Sequence, residues 1–217
     1  ALNMTVVKPF TISDMDGNAH EFNADRPSII CFVKEDCPTC RVALPVVSAF
    51  FERFSTNYDF YIVGQTSSGN EELVNNFSPP FNVLDDSALK LSFDTNVETV
   101  PTLRVTNAEG EINRELIGFV KAEWKALLDE VLMRVSSEDC KIDWDGLPEW
   151  LPGCGSLSVD PLHYDRLLAE STNSPIRARK LELGSLDDQF EFMFDQGFSD
   201  GLPVIPPTPE RVINMLK

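Results

Sequence analysis

Six residues, Ser28-Ile29-Ile30-Cys31-Phe32-Val33, form an apolar run that carries no charge and no alternation. A strand that presents apolar side chains to both faces has to be covered on both faces, as a central strand of a sheet with parallel neighbours is. This run therefore excludes a sheet with one wet face. The next twenty residues narrow the choice further. After Lys34-Glu35-Asp36 come Cys37-Pro38-Thr39-Cys40, and then Val42, Leu44, Val46, Val47, Phe50, Phe51 and Phe54 recur at helical spacing. Strand, Cys-x-x-Cys and helix thus succeed one another directly, with Pro45 inside the helix, where a kink is expected.

The flanking sequence extends the pattern. Phe10–Ile12 and His20–Phe22 bracket Asp14-Met15-Asp16-Gly17-Asn18 and read as a hairpin. Arg26-Pro27 breaks the chain. Tyr58–Val63 reads as a second buried strand. A helix opens near Ser67-Ser68-Gly69, with Asn70 as the expected N-cap before Glu71–Asn76. A loop and short strand come next over Phe77–Leu84, then a short helix over Ser87–Phe93. Thr102–Thr106 and Ile112–Ile117 are two strands joined by Asn107-Ala108-Glu109-Gly110, and Lys121–Val135 is an amphipathic helix. A leading hairpin followed by β-α-β-α-β-β-α gives an α/β fold with a mixed central sheet and helices on both faces.

The texture changes near Ser137. Asp143–Pro161 is rich in Pro and Gly and reads as extended loop. Short helices are expected over Pro161–Ala169 and over Leu186–Gln196, the latter capped by Ser185, and Thr208 looks like the cap of a further helix. The expected division is a domain over 1–136 and a loop-rich extension over 137–217, the possible start of a further domain. That last helix, capped by Thr208, has barely begun where the sequence stops at Lys217, and a piece of a longer protein is expected.

Composition limits the partners. With 18 Lys and Arg against 35 Asp and Glu, the formal net charge is −17. That argues against nucleic acid and against anionic membrane surfaces, both of which call for clustered cations. No apolar run approaches the length of a bilayer span. Ala1–Phe10 lacks the basic start and apolar core of a signal peptide. A cytoplasmic location is expected, with a periplasmic one, after leader removal, as the alternative.

The five cysteines are Cys31, Cys37, Cys40, Cys140 and Cys154. An odd number does not fit a fully paired framework, and a C-x-x-C with three scattered thiols suggests one redox pair. Cys37 lies where a strand ends and a helix begins, so unsatisfied N–H groups and the positive helix end favour its thiolate. Cys40, one turn further in, is placed to resolve a mixed disulfide. Pro38 suits the first helical turn. The carboxylate of Asp36 beside Cys37 should oppose thiolate formation. No metal is expected: zinc wants four ligands, and the two histidines, His20 and His163, supply no second pair. Cys31 reads as a core residue. Cys154, between Gly153 and Gly155, is expected to be accessible: an incidental loop thiol, an extra resolving thiol, or half of a Cys140–Cys154 disulfide. Trp144 and Trp150 are expected to anchor the loop by packing.

Over roughly Pro9–Val135 the chain resembles the thioredoxin superfamily, and most of all its TlpA-like and peroxiredoxin-like (AhpC/TSA-type) branch. The resemblance rests on the Phe10–Phe22 opening, the strand–Cys–helix unit, Pro45 five residues beyond Cys40, and Val100-Pro101-Thr102 before a strand. It implies a thioredoxin-like fold and a thiol–disulfide oxidoreductase active in cell redox homeostasis or antioxidant defence. No cofactor is implied. The implied partners are a protein or small-molecule disulfide or thiol substrate and a redox partner that reduces or oxidises the pair. It also implies a cis-proline at Pro101 next to the cysteines, with Val100 offering its backbone to an extended substrate, and substrate contacts at Pro38 and Thr39. Two departures stand out. Cys31 and Asp36 occupy positions where thioredoxin has a buried acid and a tryptophan. The alternatives are a peroxiredoxin-like peroxidase and a non-catalytic interaction module. The peroxidase pattern Pro-x-x-x-Thr/Ser-x-x-Cys is not met, because Ile30 and Lys34 stand at its two key positions.

Overall fold

A computed structural model describes residues 5–135, 140–172, 183–184, 188–202 and 204–216. Two compact units divide at Asp160, later in the chain than the change of sequence texture near Ser137.

The first unit is built around a five-stranded sheet. Its strands are β3 (Ser28–Val33), β4 (Asp59–Gly64), β5 (Val83–Asp85), β7 (Thr102–Thr106) and β8 (Ile112–Ile117), in the order β5-β4-β3-β7-β8. β3 runs parallel to β4, and β4 to β5, while β7 is antiparallel to both β3 and β8. All six residues of β3 are buried, so the uncharged run occupies the middle of the sheet and needs cover on both sides. The flanking helices are α1 (Pro38–Phe54), α2 (Ser67–Phe77), α3 (Lys90–Asp94) and α4 (Lys121–Val135). α1 and α4 meet through Phe50 and Trp124, whose rings are 6.3 Å apart, and Phe119 adds a third ring 5.4 Å from Trp124. The leading hairpin, β1 (Phe10–Ser13) and β2 (Ala19–Phe22), pairs and stacks Phe10 on Phe22 and sets both rings edge-on to Tyr61 of β4. Asp14 organises its turn by accepting from the amides of Asp16 and Asn18 and from His20.

Local capping shifts several expected boundaries. α2 begins at Ser67 because the Thr66 hydroxyl, not Asn70, accepts from the Gly69 amide; Asn70 lies inside the helix and is buried. α2 also runs on to Phe77, ending at Ser78 in the left-handed region, and α3 starts only at Lys90, after Leu89 at φ 62°.

The largest departure lies in the Pro- and Gly-rich stretch after Cys140. Instead of loop alone, it holds β10 (Trp150–Leu151) and β11 (Cys154–Gly155), then a 3-10 turn over Leu157–Val159. β10 pairs antiparallel with β9 (Phe119–Val120), and β11 with β6 (Thr99–Val100). Residues 140–160 thus wrap over the first unit as a strap. Its start lies along α1, where Lys141, Ile142, Asp143, Gly146 and Leu147 line a shallow cavity of about 360 Å³ with Pro45, Val46 and Ala49. Trp144 packs against the core as expected, but the Trp150 side chain is 61% exposed, and only its backbone joins the sheet.

The second unit contains α5 (Pro161–Ser171), α6 (Gln189–Asp195) and α7 (Pro209–Met215). Asp188 caps α6 by accepting from the amides of Phe190 and Glu191, and Thr208 caps α7 through the Arg211 amide. The cap expected at Ser185 falls outside the described residues. Among the described residues, no helix is long and apolar enough to cross a membrane.

Candidate active site

The chain leaves the buried end of β3 at Val33, turns through Lys34-Glu35-Asp36 and enters α1 at Pro38. Cys37 is the N-cap residue, in extended conformation, and its sulfur accepts the amide of Cys40 at 3.4 Å. Pro38 occupies the first helical position, where its missing N–H leaves no donor stranded. The Cys40 sulfur in turn accepts the amide of Lys34 at 3.4 Å.

Across from the motif, the Val100–Pro101 peptide bond is cis. The Cys37 thiol donates to the Val100 carbonyl at 3.5 Å, so residues 63 positions apart in sequence meet at one point. The carbonyl of Pro101 is taken up by the Gly118 amide at 2.9 Å. The candidate residues Cys37, Pro38, Thr39, Cys40, Val100 and Pro101 therefore lie within one locality, at the end of β3 and the start of α1.

The thiols of this locality are polarised in opposite directions. The Cys37 thiol is lowered from an ordinary value of 9.0 to about 5, first by a hydrogen bond from the Cys40 thiol, then by one from Cys154 and by the amides of Cys40 and Thr39, all against the cost of burial. Cys40 is pushed well above its ordinary value by burial and by the neighbouring Cys37 sulfur. Cys31 is pushed up to about 12 by burial alone, which makes it an inert core thiol. The Asp36 side chain, expected to oppose thiolate formation, points to solvent and pairs with Lys34 Nζ at 3.3 Å; the main influences on Cys37 come from Cys40, Cys154, Thr39 and burial. Cys37, Cys40 and Cys154 are not joined by a disulfide. Among the described residues, no cluster of His, Cys, Asp and Glu is arranged to hold a metal.

The strap also reaches this locality, which no sequence pattern announced. Thr39 is buried, and its hydroxyl donates to the Pro152 carbonyl. Lys34 Nζ donates to the Gly155 carbonyl at 3.1 Å. β11 sets Cys154 opposite Val100. Cys154, expected to stand open to solvent, is only partly exposed, and Cys37 and Cys40 are fully buried. Beyond Cys154, Gln65 clasps the strap: its Nε2 donates to Ser156 Oγ at 2.6 Å and Ser92 Oγ at 3.0 Å, and its Oε1 accepts the Leu157 amide at 3.0 Å. Of the two glycines flanking Cys154, Gly153 alone marks a close approach of backbones: a Cβ there would stand 3.0 Å from the Val100 carbonyl oxygen, whereas one at Gly155 would meet nothing within 4 Å.

This fold has counterparts among solved structures. A protein of Chlorobium tepidum, provisionally named thiol:disulfide interchange protein DsbE, superposes with a TM-score of 0.55 at 16% identity, over 60% of this chain and 95% of its own. The pneumococcal exposed lipoprotein thioredoxin Etrx1 of Streptococcus pneumoniae gives 0.51 at 18% identity, over 58% and 99%. The thioredoxin domain of a thiol-disulfide oxidoreductase of Bacteroides vulgatus gives 0.50 at 14%, over 60% and 99%. No protein-family model and no curated protein matches the sequence. The chain has the thioredoxin fold. Within it, Cys37 and Cys40 form a candidate redox-active pair at the start of α1.

Proposed function

We propose that this protein is a thiol–disulfide oxidoreductase in which Cys37 is the nucleophile and Cys40 the resolving thiol. The observation that carries the reading is the asymmetry of the pair: the Cys40 amide converges on the Cys37 sulfur and the Cys37 pKa is lowered, which favours its thiolate, while burial raises that of Cys40. In the reducing direction, the Cys37 thiolate attacks one sulfur of a substrate disulfide. A Cys37–substrate disulfide forms, and the other substrate sulfur leaves with the bonding pair and takes up a proton. Cys40 then loses its proton and attacks Cys37 Sγ. The Cys37–Cys40 disulfide forms, the second substrate thiolate departs, and two electrons have passed to the substrate. The oxidising direction is the reverse.

Insulin reduction driven by dithiothreitol tests this. Cys37→Ser is expected to abolish the catalysed rate, and Cys40→Ser to stop the Cys37–Cys40 disulfide from forming while Cys37 still attacks the substrate. Full activity in both variants would overturn the reading. Peroxide turnover dependent on Cys37, without disulfide reduction, would point to a peroxidase instead.

A further inference from the structure

We propose that the strap segment Pro152–Gly155 is a substrate built into the chain, and that Cys154 is a third catalytic thiol, exchanging with Cys37 into a Cys37–Cys154 disulfide. This inference rests on the reading of Cys37 as the nucleophile.

The geometry is that of an extended peptide paired with a short strand, where main-chain pairing supplies affinity and register selects which side chain faces the site. β11 pairs antiparallel with β6, in the register Cys154 to Val100 and Gly155 to Thr99. Val100 is also the residue whose carbonyl receives the Cys37 thiol at 3.5 Å. One backbone residue thus lies against both cysteines, Cys154 opposite it across the ladder and the Cys37 sulfur at its carbonyl. The motif itself grips the segment from both ends, Thr39 through the Pro152 carbonyl and Lys34 through the Gly155 carbonyl.

Two glycines show that the close fit depends on the local sequence. A Cβ at Gly153 would stand 2.1 Å from Thr99 Cγ2 and 3.0 Å from the Val100 carbonyl oxygen. At Gly118, where φ is +70°, a Cβ would stand 2.9 Å from the Gly153 nitrogen and 3.0 Å from the Leu151 oxygen. Any side chain at either position would lift the strap away from Val100. Packing alone would be served by any small residue at position 154; the register instead presents a thiol at the point where a substrate sulfur has to arrive.

The exchange needs no further oxidant once a substrate disulfide has oxidised the pair. Cys154 gives up its proton and attacks Cys37 Sγ. The Cys37–Cys154 bond forms, the Cys37–Cys40 bond breaks, and the electron pair leaves on Cys40 Sγ, which takes up a proton. The same attack on a Cys37–substrate disulfide releases the substrate thiol instead. The site therefore has two resolving thiols, one within the motif and one on the strap.

The test uses the full chain with oxidised glutathione as probe. Cys40→Ser and the double variant Cys40→Ser/Cys154→Ser are incubated with it, quenched in acid, alkylated and mapped by peptide mass spectrometry. In the double variant, glutathione is expected to remain on Cys37. In Cys40→Ser, retention is expected to fall by about tenfold or more, because a tethered thiol acts at an effective concentration in the millimolar range, and a Cys37–Cys154 peptide appears. Equal retention in the two variants, with Cys154 alkylated, overturns the inference and leaves the oxidoreductase reading standing. Absence of glutathione from Cys37 in both overturns the two together. The wild-type chain, equilibrated in a glutathione redox buffer and trapped in the same way, guards against a folding defect in the variants. A fraction with Cys37 joined to Cys154 and Cys40 alkylated supports the inference, and a Cys140–Cys154 peptide in its place refutes it.

Discussion

Removing the Cys40 thiol should raise the Cys37 pKa by an amount the structure sets. The largest cause of the depression to about 5 is a hydrogen bond from the Cys40 thiol to the Cys37 sulfur. A hydrogen bond to a charged group contributes about 1.5–3 kcal/mol, and one pKa unit corresponds to about 1.4 kcal/mol. Cys40→Ala keeps the residue-40 amide that donates at 3.4 Å but loses the thiol, so the expected rise is about one to two units. At pH 7 Cys37 should therefore be mostly thiolate, whereas a thiol at its ordinary value of 9.0 is mostly protonated. The assay is the pH dependence of iodoacetamide alkylation, followed on the Cys37 peptide so that the other four cysteines do not contribute. A wild-type midpoint in the ordinary thiol range, or a midpoint that Cys40→Ala leaves unmoved, would refute the argument. The same depression has a stability consequence. The folded value lies below the unfolded one, so the stabilisation is complete above the unfolded pKa and is lost as pH falls toward about 5. The reduced protein should lose about 1.4 kcal/mol per pH unit across that window, and the Cys37–Cys40 disulfide form should not. A reduced form favoured in this way should raise the reduction potential of the pair relative to one whose thiolate lacks these donors, and equilibration in a glutathione redox buffer measures it.

Three further outcomes are expected. Gln65→Leu leaves Ser156 Oγ and the Leu157 amide without their donor and acceptor; a cost of roughly 2–4 kcal/mol and faster hydrogen exchange at Leu157 should result, and unchanged exchange would show that the clasp does not hold the strap. Gly153→Ala should lift β11 from Val100, because its Cβ meets Thr99 and the Val100 oxygen; Cys154 and Cys37 should both alkylate faster, and equal rates would mean that the backbones part too readily for the glycine to matter. Asp86 is buried and its pKa is raised, chiefly by desolvation, although it accepts from the Leu91 and Ser92 amides and the Ser92 hydroxyl. With the folded value above the unfolded one, stability should fall as pH rises from the ordinary carboxylate range through the raised value, and urea melts of Asp86→Asn should lack that slope.

What could be read from the sequence was whatever repeats over several residues or changes backbone chemistry. The six uncharged residues of β3 announced a central strand, and the helical spacing from Val42 to Phe54 announced α1. The thiol pair was legible because Cys37 falls at a helix start, a position defined by local sequence alone. Asn70 was misread as a cap because Thr66, four residues earlier, is an equally good hydroxyl acceptor, and only the path of the chain out of β4 decides between them. The strap was illegible for a different reason. β10 and β11 have two residues each, as do their partners β9 and β6. Two residues have no period, and Pro and Gly around them signal loop. Such strands exist only because a long-range partner offers unpaired backbone, and this partner lies at least 30 positions away in each case.

The contacts that make Cys37 reactive also hide it. Donors to its sulfur come from Cys40 and Thr39 on α1 and from Cys154 on the strap, and with the strap in place its side chain has no exposed surface. A buried thiolate cannot meet an external disulfide, so a catalytic cycle on such a substrate requires the strap to leave β6. Leaving removes the Cys154 donor, which raises the Cys37 pKa, and admits water, which lowers it by relieving the desolvation. The two changes oppose each other, so opening should expose Cys37 without discharging it. Oxidised Cys37 no longer carries the charge that attracts the Cys154 thiol, and the strap loses one reason to stay. Accordingly, the strap should exchange its amides faster in the Cys37–Cys40 disulfide form than in the reduced form, and should be most protected when Cys154 itself is joined to Cys37. Hydrogen exchange at Ser156 and Leu157 in the three trapped states reads this ordering directly, and equal protection in all three would mean that the strap is held by Gln65, Thr39 and Lys34 without regard to the state of the thiols.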